Sequence, residues 1–251
     1  MTLWEGNGGS SSRSSSSSSS KKKKKILNFL FFLLFSRPAE IMEEWVPEET
    51  VESMASEYFS IAAYCGDVEE VKEILRKNPN LNVNWAKKDL EGSASVALGH
   101  ACENDHDVIV SILLAHPDID VNLRDTYGNT PFGISCVNGS TSCVREMLKD
   151  SRVELNEPDE SGNPPIVWTV AYEHIDIIRW WIASGREIDL GKLADFMMDA
   201  IETARENVQG EIAKLLERFK ENPEETRGEV RRELGIKGQC SCSLVPVHLR
   251  P

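Results

Sequence analysis

The sequence predicts an all-α solenoid of helix-turn-helix units joined by β-turn fingers. Three observations predict it: a period of about 34 residues, two short amphipathic helices in each period, and turn signatures at the joins. Gly66, Asp105, Gly139, Glu173 and Asn207 serve as anchors, and their positions differ in turn by 39, 34, 34 and 34. Five positions after each anchor stand Val71, Val110, Val144, Ile178 and Ile212. Eight positions after it stand Ile74, Leu113, Met147, Trp181 and Leu215, and nine after it Leu75, Leu114, Leu148, Ile182 and Leu216. All fifteen are apolar in a chain that is 40% hydrophobic.

The upstream side repeats as well. Seven positions before the anchors come Phe59, Leu98, Phe132, Ile166 and Ala200. Four before come Ala62, Ala101, Ser135, Thr169 and Thr203, all small or short, as expected where two helices approach closely. Neither helix of a unit can bury its apolar stripe alone, so neighbouring units must complete the core.

The residues at the joins point to a family. Asp125-Thr-Tyr-Gly128-Asn-Thr130-Pro131-Phe132 resembles the ankyrin opening D-x-x-G-x-T-P-L, and Asp159-Glu-Ser-Gly162-Asn-Pro164-Pro165-Ile166 repeats it one period later. The glycine suits a turn conformation that other residues avoid. Thr130 can cap the first helix, and Pro131 fits a first turn that needs no N–H. Asp120-Val-Asn122 and Glu154-Leu-Asn156 look like the family's D-V-N ahead of each finger. The outer units depart from the pattern. Val96-Ala97-Leu98 stands where T-P-L is expected, Asp105-His106 replaces a Gly-His turn, and Asp189 to Leu193 carries no finger motif. Such degeneracy fits terminal units that cap the stack.

Five segments follow from this reading. Residues 1–41 are a low-complexity leader, 42–57 an N-terminal capping helix and 58–220 an ankyrin-repeat domain of about five repeats. Residues 221–235 are a C-terminal capping helix, and 236–251 a disordered tail. Within the leader, a serine run precedes Lys21 to Lys25 and the apolar block Ile26 to Phe35. Ten residues reach roughly 15 Å as a helix against a bilayer core of roughly 30 Å, so a stable span is not expected. Three readings of the leader stay open: an unstructured or mis-assigned extension ahead of Met42, a secretory signal or anchor, and a peripheral membrane-binding segment. The repeats resemble cytosolic ones, which implies a cytoplasmic or nuclear location, with the secretory pathway as the alternative if residues 21–39 act as a signal.

Charge narrows the partners. The first 41 residues hold seven Lys/Arg and two Glu; of 28 basic and 41 acidic residues in all, the rest therefore keeps 21 and 39, a net −18. An acidic body repels phosphate backbones, which argues against nucleic acid, and favours a basic protein partner. Cys65, Cys102, Cys136 and Cys143 fall within helical patterns and read as reduced thiols, and Cys240-Ser-Cys242 lacks the second ligand pair of a metal site.

No catalytic constellation emerges, and no cofactor or metal is expected. His106 and His174, two periods apart and one place after their anchors, match a structural turn position that the resemblance implies. His100 and Cys102 do not share a helix face. Trp168 occupies the offset of Ile61 and Ile134, and Trp181 falls in an all-apolar column, so both read as core, whereas the column of Trp180 is mixed. The resemblance implies a non-catalytic, monomeric scaffold or adaptor that grips a protein on a concave face of fingers and inner helices, with a stoichiometric inhibitor of a kinase or transcription factor as the alternative. Carried over by offset, the finger positions are Thr126, Tyr127, Asn129, Glu160, Ser161 and Asn163. The positions before each turn add Tyr64, Glu103, Asn104, Asn138 and Tyr172, and Trp180 completes the candidate surface.

Overall fold

A computed structural model describes residues 48–88, 94–191 and 199–236. The leader, the Cys240/Cys242 pair and the fifth finger's residues 192–198 lie outside the described residues. Five helix pairs follow one another: α1 (Glu48–Cys65) with α2 (Val68–Lys77), α3 (Ala97–Glu103) with α4 (Asp107–Leu114), and α5 (Pro131–Asn138) with α6 (Thr141–Met147). Then come α7 (Pro165–Ala171) with α8 (Ile175–Ser184), and α9 (Ala200–Glu206) with α10 (Gly210–Glu221). A final helix, α11 (Pro223–Glu233), closes the described array. The only strands among the described residues are β1 (Lys87–Lys88) and β2 (Ala94–Ser95), an antiparallel pair in the longer first interval. Helix α1 is one unbroken helix across residue 57, where the sequence suggests a separate capping element.

The first helices stack on each other in order, α1 on α3, α3 on α5, α5 on α7 and α7 on α9; among the second helices α2 packs on α4, α4 on α6 and α6 on α8, and α11 packs on both α8 and α10. The apolar columns form one continuous core between the layers. Of the twenty-five column residues named above, all are buried except Leu75 and Leu114, which are half-buried. Each pair closes with the same bond, from the N–H that starts the second helix to a carbonyl five positions back: Asp67 to Ala62, His106 to Ala101, Ser140 to Ser135, His174 to Thr169 and Gln209 to Ala204. A residue with positive φ makes each turn: Gly66, Asp105, Gly139, Glu173 and Val208.

These bonds correct one register. The fifth turn is at Val208 rather than Asn207, so the last interval is one position longer than the two before it, and the small inner position is Ala204 rather than Thr203. A helix pairs apolar positions one residue apart, so a one-residue slip leaves most of the pattern satisfied and is hard to see in sequence.

Two sets of side chains stitch unit to unit. Asn84 donates from Nδ2 to the Asp118 carbonyl (2.7 Å) while its Oδ1 accepts from Asp120 N–H (2.9 Å). Asn122 makes the same double bond to Arg152 and Glu154, and Asn156 to Glu187 and Asp189. On the second-helix side, arginines reach back to carbonyls at and beyond the end of the previous outer helix. Arg152 reaches Leu114, Arg186 reaches Asp150 (2.7 Å) and Val153 (2.6 Å), and Arg227 and Arg231 of α11 reach Ile182 and Ala183. A cation here satisfies orphan carbonyls and opposes the negative end of the helix dipole. Burial pulls the Arg186 guanidinium below its ordinary pKa, so its two hydrogen bonds are made at some desolvation cost. Arg186→Met should therefore lower unfolding free energy by about 2 kcal/mol in urea titrations, since charge-assisted bonds are each worth about 1.5–3 kcal/mol and part of the loss is offset by relieved desolvation. An unchanged urea midpoint would contradict this role.

The thiols Cys65, Cys102, Cys136 and Cys143 are free. Burial pushes Cys136 up to about 12, and contact with Cys102 together with burial also raises Cys143. Such thiols carry almost no thiolate at neutral pH and act as small core residues.

Candidate functional site

The fingers are built by aspartates. Asp125 N–H donates to the Asn129 carbonyl and Gly128 N–H to the Asp125 carbonyl, which closes a tight turn. The Asp125 Oδ1 atom accepts from the N–H groups of Tyr127 and Asn129, both at 2.8 Å. Asp159 repeats the arrangement, with Asn163 N–H donating to its Oδ1 at 2.9 Å. The two fingers are joined by Glu160 N–H donating to the Tyr127 carbonyl (3.1 Å). A Cβ on Gly128, whose φ is +77°, would lie 2.7 Å from Glu160 N, so only glycine permits this approach. Arg124 braces the pair, reaching the Pro158 carbonyl and the Glu157 carboxylate.

Thr130 caps α5 through its hydroxyl, which accepts from Gly133 N–H at 3.2 Å, with Pro131 in the first turn, as the sequence suggests. In the next unit Pro164 occupies the cap position and makes no such bond.

Among the finger candidates, Tyr127 is 64% exposed, Glu160 and Ser161 are exposed, and Thr126, Asn129 and Asn163 are half-buried. The backbone bonds of Asn129 and Asn163 make them closers of the turn. Asn104 and Asn138 donate their Nδ2 groups to the carbonyls four positions back, those of His100 and Ile134, and so terminate their helices. Glu103 is exposed, with a carboxylate oxygen 3.7 Å from His100 Nδ1. Tyr64 packs edge-on against His100 at 5.5 Å.

The fourth unit differs most from its sequence reading. Trp168, placed in the core by its column, is half-buried: its Nε1–H donates to Asp159 Oδ2 at 2.7 Å, and its ring stacks on Tyr172 at 6.1 Å. Tyr172 is 52% exposed and also stacks on His174 at 6.2 Å. The spacing of four between Trp168 and Tyr172 was the available signal, since such residues share a helix face. Trp180 lies apart from the other candidates. It stands on the second-helix layer, half-buried, with the Arg145 guanidinium 4.3 Å above its ring. Trp181 is fully buried, and its Nε1–H donates to the Glu187 carbonyl at 3.2 Å.

The histidines at the turns are structural. His106 Nε2 meets the Tyr64 carbonyl at 3.1 Å and His174 Nε2 the Val137 carbonyl at 3.2 Å, each ring lying against the glycine turn of the preceding unit. Among the described residues, no group of three or more His, Cys, Asp or Glu side chains could hold a metal ion, and no helix is long and apolar enough to cross a membrane. The second helices carry a charged cleft lined by Arg179, Glu211, Lys214 and Glu217. Arg179 pairs there with Glu211 at 2.7 Å, and Glu217 with Arg205 at 2.6 Å.

Comparison with known proteins agrees with this architecture. A family profile described as ankyrin repeats (3 copies) matches residues 59–159 and 98–193. Rabankyrin-5 of Mus musculus is 30% identical over 102 residues, which is 41% of this chain and 8% of that protein. The SMC5-SMC6 complex localization factor protein 1 of Bos taurus is 39% identical over 67 residues, 27% of this chain and 6% of that protein. Ankyrin repeat domain-containing protein 63 of Homo sapiens is 30% identical over 78 residues, 31% of this chain and 20% of that protein. The chain thus spans at most a fifth of the length of these three relatives.

Proposed function

The chain belongs to the ankyrin-repeat family, and from that premise we propose that it is a non-catalytic scaffold or adaptor that holds a basic partner protein on its concave face. Ankyrin repeats generally mediate protein–protein interaction, and none of the relatives named above carries an enzyme's name. The observation that carries the reading is the exposure of Tyr127 and Tyr172 beside rigidly built turns. Tyrosine supplies large contact area with little entropy to lose, and these two are among the exposed large hydrophobic residues of the described surface. Rigid fingers reduce the ordering cost of binding.

The charge balance supports a basic partner. On the first helices from residue 58 onward, the described basic side chains are His100 and Arg205, and Arg205 is already bound to Glu202 and Glu217. Acidic groups, including Glu103, Glu160 and Glu206, face solvent. The chain works as a monomer in the cytoplasm or nucleus on this reading, and light scattering should return a mass near 28.1 kDa.

The test is capture with the full chain and with a Tyr127→Ala/Tyr172→Ala variant, followed by identification of what each retains. A partner of this face should be held about thirtyfold less tightly by the variant, because two interface tyrosines contribute roughly 1 kcal/mol each. Its retention should also weaken as salt rises, through screening of the charge attraction. A partner held equally by both chains, at all salt concentrations, would rule this face out.

A further inference from the structure

Resting on the proposed partner-binding face, the geometry points to a subsite for an arginine side chain of the partner, built by Trp168, Tyr172 and Asp159 in the fourth unit. The two rings lie nearly parallel, 19° apart, on one side of α7, and Tyr172 leaves half its surface to solvent. Asp159 Oδ2 holds the indole N–H at 2.7 Å. That bond fixes the ring, polarises it toward greater electron density on its faces, and sets a carboxylate at its edge. A guanidinium laid on such a ring gains the attraction of the π face, and the nearby carboxylate adds a second favourable charge.

The molecule itself contains the completed form of this contact. Trp180, the half-buried indole on the opposite layer, carries the Arg145 guanidinium 4.3 Å above its ring. Among the described residues no cation lies over Trp168, and the arginine of the next first helix, Arg205 of α9, is held by Glu202 and Glu217. Helices α5 and α7 contain no basic residue, and the turn beside Tyr172 offers Glu173 and the half-buried His174, whose Nε2 is engaged with the Val137 carbonyl. A partly exposed aromatic pair edged by acids and lacking a described cation is complementary to arginine rather than to an acidic or purely apolar segment. Arginine is favoured over lysine because its planar, weakly hydrated head can lie flat on an aromatic face.

The test uses the full chain labelled with nitrogen-15 and follows the indole N–H signals of its tryptophans. The Trp168 signal is identified by its loss in Trp168→Phe. Tetra-arginine amide is the probe, and the same peptide with citrulline is the uncharged control. The expected result is a saturable shift of the Trp168 signal with those of Trp180 and Trp181 unmoved, and no response to citrulline. Tyr172→Leu, at an exposed position, should weaken the apparent Kd about threefold while Tyr172→Phe leaves it unchanged, the size expected for one exposed cation–π contact. An equal response to citrulline, no shift at Trp168, or a common drift of all indole signals would each overturn the subsite. So would a Trp168 signal that moves without peptide on replacing Lys21 to Lys25 by serine, since the chain's own lysines would then be the occupant. Failure here is separable from failure of the partner-binding reading: a partner lost by the double tyrosine variant while Trp168 ignores arginine keeps the face and removes the subsite.

Discussion

Replacing Trp181 with alanine should remove about 3–5 kcal/mol of stability, the range for deleting a large aromatic from a closed core. The side chain is fully buried, meets the Phe132 ring edge-on at 4.9 Å, and donates its N–H to the Glu187 carbonyl. Alanine therefore creates a cavity, breaks an aromatic contact and removes one of the two hydrogen bonds to the Glu187 carbonyl, which Asn156 also holds. Domains of this size are held by only about 5–15 kcal/mol, so the loss is a large share of the total. It also falls between the third and fourth units. An array coupled only through neighbours should then lose its single cooperative transition and unfold in two steps, with α7 to α11 melting first. Circular dichroism and tryptophan fluorescence followed through the same urea titration would show this as two non-coincident curves. A loss below about 1 kcal/mol would mean that the site collapses around the smaller residue, contrary to the packing described.

The second large effect is expected at Gly139. Its φ is +73°, and a Cβ there would lie 2.6 Å from Cε1 of the His174 ring. Gly139→Ala incurs two separate penalties: about 1–2 kcal/mol for a left-handed residue with a side chain, and about 1–3 kcal/mol for overpacking against the imidazole. The two can be told apart. In a His174→Ala background the ring is gone, so the glycine substitution should cost only the backbone part, about 1–2 kcal/mol. His174→Ala alone should cost about 1 kcal/mol for its bond to the Val137 carbonyl. The double variant is thus expected to be more stable than the sum of the singles predicts. Strict additivity would show that the ring moves aside freely.

Much of this was legible in sequence, for a physical reason. A repeat multiplies each signal, so apolar columns and turn residues report on one another across five copies, and the caps at Thr130 and Pro131 are local. What was not legible depends on side-chain contacts that the apolar columns do not encode. Trp168 shares a column with apolar residues, yet its N–H finds Asp159 nine positions back and its ring stays partly in water. Arg152 and Arg186 stand one period apart, but only the folded array shows both reaching back to the preceding unit. Trp180 was separated from the fingers by a difference of layer, which a one-dimensional column cannot express. The one-residue slip at Val208 arose because the stretch between the fourth and fifth turns is one residue longer than the two before it, where neither finger motif nor glycine marks the join.

The backward reach of these arginines and histidines gives the fold a direction in time. Arg152, Arg186, Arg227, His106 and His174 each act on a carbonyl that was polymerised about a full repeat earlier. During synthesis these side chains therefore leave the ribosome with their acceptors already made, and none of these bonds must wait for chain still to come. Growth is vectorial: the nascent array can zip from its first pair onward, with later side chains sealing carbonyls left open by earlier units.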